Sequence, residues 1–93
     1  METIVRPDLD EERDIRQSGP WVVILYNDDW HPYDQVVFQV QKATGCSLEE
    51  AEMETWEVHF TGRSVVHHGD HAECERAAGI IATIGIRVAV EPV

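Results

Sequence analysis

Trp21-Val22-Val23-Ile24-Leu25-Tyr26 runs directly into Asn27-Asp28-Asp29-Trp30-His31-Pro32, and the change of character at Asn27 decides how the chain folds. The first six residues are β-branched or aromatic and follow Pro20, which predicts a central strand. Their unbroken apolarity requires cover on both faces, or one covered face and one facing a groove. The next six are mostly polar and end in a proline suited to the first turn of a helix, where its missing N–H costs nothing. A buried strand therefore empties into an oxygen-rich step that starts a helix.

Downstream, Tyr33, Val36, Val37 and Val40 fall at i, i+3, i+4 and i+7, which predicts a helix over Pro32–Thr44 closed by Gly45. Ser47 with Glu50 reads as a capping box that opens a second helix, with Leu48, Ala51, Thr55 and Val58 along its buried side. Glu49, Glu50, Glu52, Glu54 and Glu57 read as its solvated face. Gly62 ends it, Arg63–Val66 reads as a short strand, and His67-His68-Gly69 as a turn. Asp70 and Glu73 cap a third helix that buries Ala77, Ile80, Ile81 and Ile84, and Ile86, Val88 and Val90 alternate in a last strand. The order βααβαβ predicts an α+β sandwich, a three-stranded sheet with helices on one side.

Upstream, residues 1–19 hold six acids and three arginines without hydrophobic periodicity, which predicts a flexible acidic extension before a domain over residues 20–93. The whole chain has 93 residues, 43% of them apolar, enough for one small core and no second domain. Eighteen acids against seven Lys and Arg give a net charge of −11, which disfavours nucleic acid and anionic membrane as partners. No apolar run is long enough to cross a bilayer and no secretory signal opens the chain, so a cytoplasmic protein is expected. Cys46 and Cys74 form no C-x-x-C pair and read as reduced core thiols.

Chemistry concentrates in three places. Asn27, Asp28 and Asp29 offer amide and carboxylate oxygens that suit an ammonium group with its three donors, and they equally suit helix capping and Asx turns. His59 follows the second helix's buried stripe, either as a structural histidine or as a ring nitrogen completing that polar rim. His71 and Cys74 stand at i, i+3, but a structural zinc needs four ligands at firm spacings, and a turn plus a cap accounts for the segment better. There is no nucleophile elbow, phosphate loop or cofactor fingerprint, so neither catalysis, a metal nor a cofactor is expected.

With Asn27-Asp28-Asp29, Trp30, His31-Pro32-Tyr33, Val58-His59-Phe60 and Gly62-Arg63 in view, the chain resembles the ClpS family from about Trp21 to Val90. The interval from Asn27 to His59 matches that family's pattern without gaps. The resemblance implies a non-enzymatic adaptor that binds proteins beginning with a free large hydrophobic residue, Leu, Phe, Tyr or Trp, and delivers such N-degrons to the ClpA or ClpC unfoldase. It implies that Asn27, Asp29 and His59 bind the α-amino group with Asp28 beside them. It further implies that His31, Tyr33, Val36, Thr55, Val58 and Ile86 form the hydrophobic pocket, and that the protein acts as a monomer with its acidic extension used in delivery. His31 stands where the family has threonine, and Tyr33 and Thr55 stand where it has methionines. A rigid ring at the mouth narrows the entrance while Thr55 widens the interior, which leaves the preferred first residue open. The alternative is a domain of this fold that docks on and regulates a Clp unfoldase without holding N-degrons.

Overall fold

The computed structural model describes residues 19–93; nearly all of the acidic extension expected over residues 1–19 lies outside them. Its elements are β1 (Trp21–Tyr26), α1 (Tyr33–Thr44), α2 (Leu48–Thr61), β2 (Arg63–Gly69), α3 (His71–Ala82) and β3 (Val88–Pro92). The expected order holds, in one antiparallel sheet with strand order β2-β1-β3. Val23 and Leu25 of β1 point into the core and are fully buried with Val40, Ala51, Cys74, Ala77 and Ile81.

The caps form as the residue types dictate. Pro32 precedes α1 in extended conformation, and Gly45 closes it at φ 74°. Ser47 accepts from the Glu50 N–H at 3.0 Å, and Asp70 from the Glu73 N–H at 2.8 Å, each satisfying an otherwise orphaned donor. Gln39, buried on α1, donates its side-chain amide to the Ile80 carbonyl at 2.7 Å and so locks α1 to the end of α3.

Four local expectations are corrected. His67-His68-Gly69 is no turn: the three residues pair with Val23, Val22 and Trp21, and a bulge opposite Val23 and Ile24 lets β2 run on to Gly69. β3 begins at Val88, because Ile86 leaves the ladder and turns into the core ahead of it. Leu48 is 53% exposed rather than buried. Glu54, expected in solvent, is only partly exposed, and its Oε1 is shielded with no hydrogen-bond partner among the described residues.

Structural contacts occupy His67, His71 and Glu73 of the His67–Cys74 segment. His67 Nε2 meets Glu73 at 2.8 Å, and Arg76 holds both Glu73 oxygens and reaches the Ala43 carbonyl at 2.8 Å. These contacts, those with Arg76 first, hold the Glu73 carboxyl down at about 2. His71 packs edge-on against Trp21 at the surface while Cys74 is fully buried, so the two are parted. Among the described residues, no group of three or more His, Cys, Asp or Glu side chains is arranged to hold a metal ion. None of the described helices is long and apolar enough to cross a membrane.

Candidate functional site

The carboxyl end of β1 is pinned on both sides. The Tyr26 N–H donates to the Arg87 carbonyl at 3.1 Å and the Asn27 N–H to the Gly62 carbonyl at 2.9 Å. Gly62 sits at φ 96°, in the left-handed region that lets α2 stop and the chain reverse at that point. The polar step after Asn27 therefore lies against the end of α2, where His59 is.

A cavity of about 280 Å³ opens between them, lined by Asn27, Asp28, Asp29, His31, Tyr33, Val36, Thr55, Val58, His59 and Ile86. It brings together the ten residues that the family resemblance named for amine binding and for the hydrophobic pocket. Val36, Thr55, Val58 and Ile86, each no more than 5% exposed, form its floor. The Thr55 hydroxyl donates to the Ala51 carbonyl at 2.7 Å, so this polar side chain sits in the floor already satisfied. Asn27, Asp29 and His59 are exposed at the rim. At about 280 Å³ the cavity lies near the small end of ligand pockets, roughly 300 to 1,000 Å³, and suits one bulky side chain rather than an extended cofactor.

Asp28 and His31 brace this rim. Asp28 Oδ1 accepts from the Trp30 N–H at 3.0 Å and the His31 N–H at 3.1 Å, an Asx turn. His31 Nδ1 lies 2.8 Å from Asp28 Oδ2, and its Nε2 lies 2.6 Å from the Ile84 carbonyl. Both neighbours only accept, so satisfying both makes the ring a doubly donating imidazolium. The Ile84 carbonyl foremost, against the pull of burial, and then Asp28 hold the His31 ring above its ordinary value. Burial pushes Asp28 up, but the Trp30 and His31 N–H groups and the His31 ring together hold it below the usual carboxylate range.

Because His31 gains its partners on folding, its contribution to stability is complete below about pH 6.5 and is lost as pH rises through the raised folded value. His31→Ala is expected to cost about 1 kcal/mol at pH 6, after discounting for solvent screening, and clearly less at pH 8.5. Urea melts at the two pH values check this. An equal cost at both would mean that the proton plays no part.

A larger cavity, about 370 Å³, lies on the other side of α2 against β2, with Glu50, Glu54, Cys46, Val65, Val66 and His68 in its walls. It shares no lining residue with the first.

Residues the sequence reading left unassigned surround the mouth of the smaller cavity. Trp56 packs edge-on against Tyr33 at 6.1 Å and His59 at 6.3 Å, and stacks on Phe60 at 4.9 Å with 14° between planes. Their spacing held a signal: Met53, Trp56 and Phe60 at i, i+3 and i+7 form an apolar stripe on the helix face away from the core.

Residues 16–86 match the family model of the ATP-dependent Clp protease adaptor protein ClpS. The chain belongs to the ClpS family. Among ClpS relatives, the ATP-dependent Clp protease adapter protein ClpS of Streptomyces coelicolor is 37% identical over 57 residues, 61% of this chain and 59% of that protein. The E3 ubiquitin-protein ligase UBR1 of Homo sapiens is 33% identical over 86 residues, 91% of this chain. The chain spans only 5% of that ligase's length. The fold matches Agrobacterium tumefaciens ClpS2, solved bound to L-phenylalaninamide, with a TM-score of 0.74 at 22% identity, covering 78% of this chain and 95% of that one.

Proposed function

We propose that this protein is a non-enzymatic adaptor that holds chains beginning with a free Leu, Phe, Tyr or Trp and delivers them to a ClpA or ClpC unfoldase in the cytoplasm. The observation that carries the reading is one cavity with an oxygen- and nitrogen-bearing rim, Asn27, Asp29 and His59, above an apolar floor, Val36, Thr55, Val58 and Ile86. It occurs in a chain whose family is the Clp protease adaptor family, and the fold match binds an amino-acid amide with a free amine and a phenyl ring. Residues 20–93 hold the cargo, and residues 1–19 serve as the extension used in handing it over.

The two halves of the site answer two halves of the ligand. Asn27 and Asp29 oxygens and a neutral His59 nitrogen accept from the ammonium, each charge-assisted bond contributing about 1.5 to 3 kcal/mol. Burying one large side chain on the floor adds about 1.5 to 3 kcal/mol. After the cost of immobilising the peptide, the sum allows affinity of about 8 kcal/mol, on the order of micromolar.

A peptide that starts with Phe is therefore expected to saturate the protein at about micromolar concentration, and the same peptide starting with Ala to bind at least about tenfold more weakly. Fluorescence anisotropy on labelled peptides measures both. Capture of the ClpA or ClpC ATPase without binding of either peptide would instead mark a docking module that regulates the unfoldase.

A further inference from the structure

Tyr33 and His59 line the cavity, and both touch Trp56, so the aromatic surface begins where a chain anchored in the cavity must leave it. Trp56 is 51% exposed and Phe60 71%, and their rings stack on each other with centroids 4.9 Å apart, an exposed aromatic ledge beside the mouth. Soluble domains seldom leave two stacked large aromatics uncovered unless something lies on them. The ledge is also charged at its margin. Glu52 stands one helical turn before Trp56 and Asp34 directly follows Tyr33, which places two acids beside the aromatic pair, and the Tyr33 hydroxyl is pushed up first by burial and then by these two carboxylates.

We propose that the side chain of the second residue of the bound chain lies on the Trp56–Phe60 ledge, and that the site favours chains in which a bulky first residue is followed by arginine. This rests on the adaptor reading above. A guanidinium is flat, weakly hydrated and permanently cationic, so it stacks on an aromatic face while meeting carboxylates edge-on. Lysine brings the charge without the plane. Glutamate meets Glu52 and Asp34 as a like charge, with no attraction to the rings. Alanine leaves the ledge bare.

The test is a series of peptides identical except at the second position, Phe-Arg, Phe-Lys, Phe-Ala and Phe-Glu, titrated into wild type, Trp56→Leu and Glu52→Gln. In wild type, Phe-Arg should bind about fivefold more tightly than Phe-Ala, Phe-Lys should fall between, and Phe-Glu should be weakest. Trp56→Leu should reduce the arginine advantage, read as the ratio of Phe-Arg to Phe-Ala affinity within each protein, to less than about twofold, and Glu52→Gln should reduce only the charge-dependent part of that ratio. Binding that ignores the second residue in wild type overturns the inference and leaves the adaptor reading intact. So does an arginine advantage that survives in Trp56→Leu. Failure of every Phe-initiated peptide to bind overturns both. If Trp56→Leu does not fold, as circular dichroism would reveal, the wild-type and Glu52→Gln series still decide.

Discussion

Acetylating the α-amine of a Phe-initiated peptide is expected to weaken its binding at least about a hundredfold, the largest effect on affinity that the site allows. The free amine brings one charge and three donors to a rim whose groups there, Asn27, Asp29 and His59, can all act as acceptors. Acetylation removes the charge, leaves one donor and adds a carbonyl oxygen that faces the Asp29 carboxylate. The phenyl ring still fits the floor, so the loss isolates the polar half of the site. Rim exposure screens each contact, which is why the expectation rests on losing two or more at once rather than on one strong pair. Asp29→Asn keeps the shape and removes the charge, and should cost about tenfold for the free amine and nothing for the acetylated peptide. Calorimetric titration of both peptides into both proteins closes that cycle. Equal affinity for the free and acetylated forms would remove the amine from the account altogether.

Glu54→Leu is expected to stabilise the fold, by about 1 to 3 kcal/mol at pH 8 and by much less at pH 5. Burial first, and then the charges of Glu50 and Glu57, push the Glu54 carboxyl from 4.5 up to about 8. The folded protein thus keeps a proton that the unfolded chain releases above about pH 4.5. The sign follows: stability falls as pH rises from about 4.5 and levels off above about 8. Partial exposure of the group limits the fall to about 2 kcal/mol. His31 weakens the fold in an overlapping window and in the same direction, so the quantity to read is the difference between wild type and Glu54→Gln, which preserves shape and cannot ionise. Urea unfolding at pH 5 and pH 8 should show that difference opening with pH. If it stays constant, Glu54 is hydrated after all.

Much of the fold was legible because its punctuation is unambiguous. Pro20 and Asn27 bracket a run that nothing but a central strand accommodates. Ser47, Asp70, Gly45 and Gly62 each supply an atom or a backbone angle that a helix end requires. The errors share a cause, which is that local pattern does not fix helix phase or strand length when tertiary partners decide. α2 carries apolar residues on two faces, Ala51 and Val58 inward and Met53, Trp56 and Phe60 outward, so period alone could not tell that Glu54 turns inward and Leu48 outward. Likewise His67 and His68 look like turn residues until β1 offers them ladder partners.

The site divides in the same way. Asn27, Asp28, Asp29 and His59 stand out by chemistry alone, although their sharing one cavity depends on the Asn27–Gly62 contact, which joins segments 35 positions apart (62 − 27). Val36, Val58 and Ile86 look like ordinary core, and only a family pattern singles them out. The brace from His31 to the Ile84 carbonyl had no precursor in the sequence, because it depends on where the loop after α3 comes to rest.

In the proposed adaptor, β1 has a cargo end and a leading end. Its last residue delivers the chain to the cavity rim, whereas its first stands two residues after Gly19, which lies so close to Gly69 that any added Cβ would collide with that backbone. Six extended residues separate the two, about 20 Å. A motor that seized the leading segment would pull on the far pole of the domain, with the captive terminus trailing and its grip not directly in the line of force. Release would then require either unravelling β1 from between both of its neighbours or a second grasp on the cargo itself.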